Sequence, residues 1–229
     1  MAMEHIKYPR TPHLPQSRGI TDDDEVLSET QVRQYFSNEE LVWTEKMDGE
    51  NITIYPDGSF HSRSLTAHHK PYHSYLQNAI IPPLIAKLGE LEDSSSDMRI
   101  LSNDMRICGE YLYARHGVAY DDLKSFFLVF SIWDEDICLP WNLTESLCRK
   151  LGLQTVPILA IAPYDEHFLQ KLIDETEQGT REGFVIRPTS SFLRGFFDMN
   201  VAKYVRANRP ITPSDWNGRE RNSLRGSGF

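Results

Sequence analysis

The chain has 229 residues, 40% hydrophobic and 25% charged, the make-up of a soluble globular protein whose core needs no staples. No apolar run approaches the ~20 residues of a membrane span, and the polar start Met1-Ala2-Met3-Glu4-His5 lacks an export signal's apolar core, so a cytoplasmic protein with no membrane partner is expected. The net charge of −9 excludes a uniformly basic nucleic-acid binder, but Lys203 to Phe229 carries six basic and two acidic residues, hence +4, against −13 for the remainder.

In chain order, the acidic run Asp22 to Glu25 reads as a loop or a helix start. Leu41 to Met47 reads as a strand, Asp48-Gly49 as a turn, and Asn51 to Tyr55, with its apolar–polar alternation, as the returning strand of a hairpin. After the turn Pro56-Asp57-Gly58, Phe60 to Leu65 continues an antiparallel meander. Tyr72 to Leu91 is helical in pattern but broken at Pro82-Pro83. Asp93 to Asp97 is the most loop-like stretch, and Met105 to Tyr113 and Phe126 to Trp133 are apolar strands. A short helix from Thr144 to Leu151 stops at Gly152, and Thr155 to Ile161 is a strand. Asp165 caps a helix running to about Gln178 and closed by Gly179. Gly183 to Arg187 and Met199 to Val205 are the last strands. The sum is an α+β protein, mostly antiparallel sheets with flanking helices, in one domain spanning residues 1–229 with a short basic segment at 207–229. That basic segment reads equally as a phosphate-holding tail and as a frayed terminus. The three cysteines, Cys108, Cys138 and Cys148, are odd in number and lie in apolar or helical surroundings, so reduced, buried thiols are expected; no CxxC or HExxH spacing suggests structural zinc.

Six positions stand out against this scaffold, five charged and one aromatic. Lys46 precedes the Asp48-Gly49 turn, where rigid strands would aim its amine; an exposed strand lysine gives the same pattern. A lysine amine, with an ordinary pKa near ~10.4, becomes a nucleophile only when cations or burial lower that value. Arg63, in Ser62-Arg63-Ser64, suits a phosphate clamp or a plain surface role. Glu110, within the apolar run Ile107 to Leu112, needs a partner, which a ribose hydroxyl or an internal arginine would supply. Phe130 suits stacking on a base or ordinary core packing. Glu182, followed by Gly183, suits contact with a metal or its waters, and Lys203, inside an apolar strand, is costly to bury unpaired.

Taken in order, Lys46-Met47-Asp48-Gly49, Ser62-Arg63, Gly109-Glu110, Phe127 to Phe130, Glu182-Gly183 and Lys203 resemble the motifs of the covalent nucleotidyltransferase superfamily, which contains DNA ligases, RNA ligases and mRNA capping enzymes. Within it, Asn51 and the intervals from Lys46 to Glu110 and Phe130 most resemble the phage-type RNA ligases that seal nicks in duplex RNA. The resemblance implies a nucleotidyltransferase (ATP-grasp-like ligase adenylation) domain. It implies that Lys46 becomes the lysyl-AMP, that Glu45 flanks the adenine through its backbone, and that Phe130 stacks on it. Arg63 would contact the ribose or phosphate region, Glu110 the ribose hydroxyls and Lys203 the α-phosphate. Glu182 and Asn51 would support Mg²⁺ or Mn²⁺, directly or through water. One departure is Val205, where relatives carry a second lysine; Arg206 beside it faces the other side of a regular strand.

The expectation is therefore an ATP-dependent RNA ligase joining an adenylated RNA 5′-phosphate to a 3′-hydroxyl, with cationic Lys203, Arg63 and the metal lowering the Lys46 pKa. Too few residues follow Lys203 for the oligonucleotide-binding barrel of DNA ligases and capping enzymes. RNA contact is expected from Arg206 and Arg209, from the Lys7-Tyr8-Pro9-Arg10 to Arg18 stretch, or from an RNA-binding or RNA-repair partner protein. A DNA ligase, another covalent nucleotidyltransferase, or a non-catalytic nucleotide-binding relative is the alternative.

Overall fold

A computed structural model describes residues 4–94, 104–207 and 220–226. The elements in order are α1 (Glu29–Phe36), β1 (Glu40–Lys46), β2 (Glu50–Ile54), β3 (Phe60–Ser62), α2 (His73–Tyr75) with a π-helical turn (Leu76–Ile80), and α3 (Ile81–Ser94). Then come β4 (Arg106–Tyr111), β5 (Phe127–Asp134), β6 (Ile137–Cys138), α4 (Trp141–Leu151), β7 (Gln154–Thr155), β8 (Ile158–Pro163) and α5 (Glu166–Gln178). Last are β9 (Gly183–Pro188), β10 (Phe192–Leu193), α6 (Phe197–Asn200) and β11 (Ala202–Val205). Two sheets result: a four-stranded one in the order β11-β9-β1-β8, and a larger one in the order β10-β6-β5-β4-β2-β3 with β7 beside β5. All these pairings are antiparallel except β5 with β7.

The expected hairpin between β1 and β2 does not form, because the two strands belong to different sheets. The physical reason lies in the three residues between them. Met47 is buried. The Asp48 N–H donates to the Tyr120 hydroxyl at 2.8 Å, and its carboxylate accepts the Val118 N–H at 2.7 Å. The Gly49 N–H donates to the Glu110 carboxylate at 3.0 Å, and a Cβ there would sit 2.6 Å from the Tyr111 carbonyl oxygen. The Asp-Gly pair thus carries the chain from one sheet to the other, and glycine is required by close approach of backbone rather than by a turn conformation.

Each sheet buries one face under helices. Leu169, Leu172 and Ile173 of α5 and Val32 and Phe36 of α1 pack with Leu41, Trp43, Phe184 and Tyr204 of the smaller sheet. Leu84 and Leu88 of α3 and Leu147 and Leu151 of α4 pack with Ile52, Ile107, Val129 and Ile132 of the larger one. Helix ends follow local chemistry. Ser28 and Gln31 form a reciprocal capping box for α1, Asp165 accepts the Phe168 N–H at the start of α5, and Gly152, at φ +71°, closes α4.

Several expectations need correction. Pro82-Pro83 does not break a helix, since both lie in the first turn of α3, where proline's missing N–H costs nothing. The strand expected at 60–65 stops at Ser62, the one at 155–161 is divided by Pro157, and residues 197–200 are helical, so the last strand spans only Ala202–Val205. The acidic run 22–25 is neither strand nor helix; α1 begins after it, at Ser28. Of the loop expected at 93–97, residues 93 and 94 end α3 and the rest lie outside the described residues. In the basic segment, residues 220–226 are neither frayed nor part of the pocket. Arg225 pairs with Asp122, the Arg221 guanidinium lies over the Tyr113 ring, and buried Asn222 accepts the Tyr120 N–H and donates to the Leu112 carbonyl.

Gly183 is the tightest point of the smaller sheet: a Cβ there would lie 1.9 Å from the Tyr204 carbonyl oxygen, across the β9–β11 pairing. Gly183→Ala is therefore expected to destabilise the protein by about 3 kcal/mol. Urea denaturation measures it, and an unchanged midpoint would contradict this packing.

Candidate active site

The two sheets face each other across a cavity of about 550 Å³, within the range of small-molecule sites. Register decides which side chains enter it. In the smaller sheet Lys46 stands opposite Gly183 and in turn Val205, and Thr44 opposite Val185 and in turn Lys203. Residues two apart share a face, so Lys46 and Lys203 point to the same side. Glu182, just before β9, is brought beside Lys46, whose ammonium donates to its carboxylate at 2.5 Å. Glu182 is only 4% exposed, so this is a buried ion pair.

The larger sheet supplies the other wall. Asn51 of β2 pairs in register with Glu110 of β4, and the Arg63 N–H donates to the Asn51 carbonyl at 3.0 Å. Phe130 is aimed by a backbone irregularity. Cys108 opposes Ser131 and Gly109 opposes Val129, so Phe130 is the extra residue of a β-bulge and reaches the cavity while its ring still packs against the core. Glu45 also lines the cavity, with its own N–H already given to the Pro157 carbonyl. The structure thus brings together Glu45, Lys46, Asn51, Arg63, Glu110 and Phe130, with Lys203 beside them and Glu182 held on Lys46. Arg206 is not among them: its guanidinium donates to the Gly179 carbonyl, and only its backbone N–H touches the site, on the Glu182 carbonyl. Arg209 lies outside the described residues.

Electrostatics correct one expectation. Lys46 is not held low. Burial pushes its ammonium down, but the charges of Glu182 and Glu110, the hydrogen bond to Glu182 and the charge of Asp48 outweigh that and hold it above the ordinary lysine value. Lys203 is the depressed lysine, brought to about 8 by burial and by the charge of Lys46. Burial lifts the Glu110 carboxyl to about 8 despite Lys46 nearby. The cations expected to lower Lys46 are outnumbered by acids around it.

Sequence reasoning missed three contributors. Tyr8, from the N-terminal segment, sets its ring edge-on to Phe130 with centroids 5.1 Å apart. Asp24 lies 3.8 Å from the Lys203 ammonium, and the acidic run Asp22 to Glu25 was its only signal. Glu50 is the anchor of the wall beside Asn51. Its carboxylate accepts from the Ser62 hydroxyl at 2.7 Å, Lys70 at 3.0 Å and the Tyr72 hydroxyl at 2.7 Å, and bonds His73 Nε2 at 2.9 Å. A lone glutamate next to asparagine carries no pattern that announces four partners arriving from residues 62–73.

Two mainly antiparallel sheets closing on a lysine paired with a buried glutamate give the chain the fold of solved ATP-dependent RNA and DNA ligases. This chain belongs to the RNA ligase family, whose model matches residues 39–205. No curated protein matches it. Among solved structures it is similar to an archaeal ATP-dependent RNA ligase at 16% identity, with a TM-score of 0.56 over 87% of this chain and 48% of that one. It is similar to a protein from Aquifex aeolicus assigned as an ATP-dependent DNA ligase, at 20% identity and a TM-score of 0.55, over 90% of this chain and 51% of that one. A Naegleria gruberi RNA ligase variant solved with ATP and Mn shares 18% identity at a TM-score of 0.51, over 89% of this chain and 61% of that one. The chain spans about half the length of the first two structures.

The Glu50 cluster gives a pH prediction. Burial alone would raise its carboxyl, but hydrogen bonds from His73, Ser62 and Tyr72 and the His73 charge pull it from 4.5 to about 2. A folded-state pKa below the unfolded one stabilises the protein above the unfolded pKa and loses that contribution as pH falls from about 4.5 toward 2. Glu50→Gln is expected to cost about 3 kcal/mol at pH 7, with the gap to the unaltered protein narrowing below pH 4.5. Urea denaturation at several pH values checks this, and a gap independent of pH would refute it.

Proposed function

We propose that this chain is the adenylating core of an ATP-dependent RNA ligase. The observation that carries the reading is the 2.5 Å pair between Lys46 and buried Glu182 at a cavity also lined by Lys203, Glu110 and Phe130, in a member of the RNA ligase family. Solved neighbours described as ATP-dependent RNA ligases, one variant holding ATP and Mn, support ATP as the donor and a divalent metal as its companion.

In the first step Lys46 attacks the α-phosphorus of ATP. Its nitrogen must first lose a proton, and Glu182, already the hydrogen-bond acceptor, is positioned to take it. The Nζ–phosphorus bond then forms as the bond to the bridging oxygen breaks, and the electron pair departs on pyrophosphate. Lys203 holds the α-phosphate from the adjacent strand, Phe130 stacks on the adenine, and Glu110 bonds the ribose hydroxyls. The bound AMP then moves to an RNA 5′-phosphate, and a 3′-hydroxyl attacks that activated end and releases AMP.

A divalent metal fits the residues present. Asn51 Oδ1 is buried without a hydrogen-bond partner, and with Glu182 it offers hard oxygen donors. No cluster of three or more His, Cys, Asp or Glu converges among the described residues, so water and phosphate must complete the shell, the habit of Mg²⁺ and Mn²⁺. Such an ion supplies positive charge that steadies the leaving phosphates and draws the Lys46 pKa down. RNA ends are the acceptor in this reading, held by the chain's own cations or by an RNA-binding or RNA-repair partner protein. The described structure contains no helix long and apolar enough to cross a membrane, and three free, buried cysteines suit a reducing cytoplasm.

Intact mass after incubation with ATP and Mg²⁺ is expected to rise by one AMP, as an acid-labile adduct, and not to rise for Lys46→Ala. Loss of Lys46 takes the ammonium away from buried Glu182, so a denaturation curve must accompany the variant. No adduct on the unaltered protein would end the reading; sealing of nicked DNA but not nicked RNA would remove the RNA assignment alone.

A further inference from the structure

The position where relatives carry a second lysine holds Val205, 1% exposed. The N-terminal segment covers it. The Ser17 hydroxyl accepts the Val205 N–H at 2.9 Å, the N–H groups of Arg18 and Gly19 donate to the Val205 carbonyl at 2.9 and 3.0 Å, and a Cβ on Gly19 would touch the Val205 side chain at 2.6 Å. A lysine at 205 would have to push this segment away. The same segment brackets Lys203: the Lys203 N–H donates to the Pro12 carbonyl and its carbonyl accepts the Leu14 N–H. The same stretch of chain places Tyr8, Arg10 and Asp24 in the cavity wall.

Arg10 and Arg63 line that main cavity, and with Lys7 they line a second one of about 490 Å³ opening beside it. No acidic residue lines the second cavity. Arg63 makes no side-chain hydrogen bond or ion pair among the described residues. Arg10 donates to the Asp23 carbonyl and approaches Asp24 only at 3.9 Å. Asp24 is already shared with Lys203 at 3.8 Å and His13 at 3.4 Å. Burial, and then the charge of Arg10, push Arg63 below the ordinary arginine value, so the two guanidinium groups repel. A pair of cations with one shared acid between them is an arrangement that an anion relieves.

We infer that Arg10 and Arg63 together clamp the β- and γ-phosphates of the nucleotide and hold the departing pyrophosphate, in place of the lysine absent at Val205. The inference rests on the adenylation reading for the identity of the anion. The cavity itself favours the nucleotide over RNA, because both arginines share it with Lys46 and Lys203. As the Lys46 nitrogen bonds to phosphorus, the electron pair of the broken bond passes to pyrophosphate, and two guanidinium groups at that end stabilise the charge as it develops. Asp24 lies 3.8 Å from the Lys203 ammonium and 3.9 Å from the Arg10 guanidinium and so draws both toward the N-terminal segment.

Arg10→Gln, Arg63→Gln and Arg10→Lys test this. The first two are expected to slow AMP-adduct formation from ATP and to weaken binding of inorganic pyrophosphate about tenfold or more, with AMP binding nearly unchanged; Arg10→Lys is expected to recover part of the rate. Unchanged adduct formation and pyrophosphate affinity in both glutamine variants would overturn the clamp. So would a defect confined to AMP transfer onto RNA, which would make the segment an acceptor contact. If the unaltered protein forms no adduct, the adenylation reading fails, and pyrophosphate titration of the same variants still decides whether the pair is an anion clamp.

Discussion

The pairing of Lys46 with Glu182 is the constraint around which the rest of the molecule is arranged. A buried carboxylate beside a half-buried ammonium is stable only in close geometry, and moving either strands charge in a poorly solvated place. That geometry is set by strand register, since Lys46 stands opposite Gly183 and a shift of one residue would turn it to the helix-covered face. The missing Cβ of Gly183 lets β11 approach, which in turn places Lys203 two residues along the same face. Asp48, Gly49 and Glu110 then fix the chain as it leaves Lys46, so the amine emerges from a point held on both sides.

The two sheets divide the labour of the site. The smaller one carries the groups suited to phosphorus chemistry: Lys46 on β1, Lys203 on β11, and Glu182 just ahead of β9. The larger one carries Asn51, Glu110 and Phe130, suited to a nucleoside and its metal. In the proposed reading, such a division binds base and ribose on one wall while charge develops at the other, the arrangement in which positioning contributes most to rate.

Much of this was legible in the sequence, for reasons that differ by residue. Lys46, Glu110, Glu182 and Lys203 were readable because charged residues inside apolar strands demand partners, and their order matches a known family pattern. The α5 boundaries were readable because Asp165 caps locally. What failed was non-local. An Asp-Gly turn looks the same whether the next strand returns to its neighbour or crosses to another sheet, and only Tyr120, Val118 and Glu110 decide that. The capping box of Ser28 and Gln31 was present in the sequence and would have revealed α1. For Phe130 the sequence left base stacking and core packing open, because a bulge changes direction without changing composition. The sign of the Lys46 shift was unreadable, because it depends on how many carboxylates converge in space.

The path of the chain between the sheets carries a consequence for how the protein is made. β1 finds no partner in its own sheet until β8, at Ile158, and its other neighbour, β9, arrives only at Gly183. Everything from β2 to β7 is laid down in between and pairs within itself. On the ribosome, strands β2 to β5 of the larger sheet can therefore pair while Lys46 still hangs from an unpaired edge. The sheet that gives Lys46 its partner is completed by β11, so the Lys46–Glu182 pair is assembled after most of the facing wall.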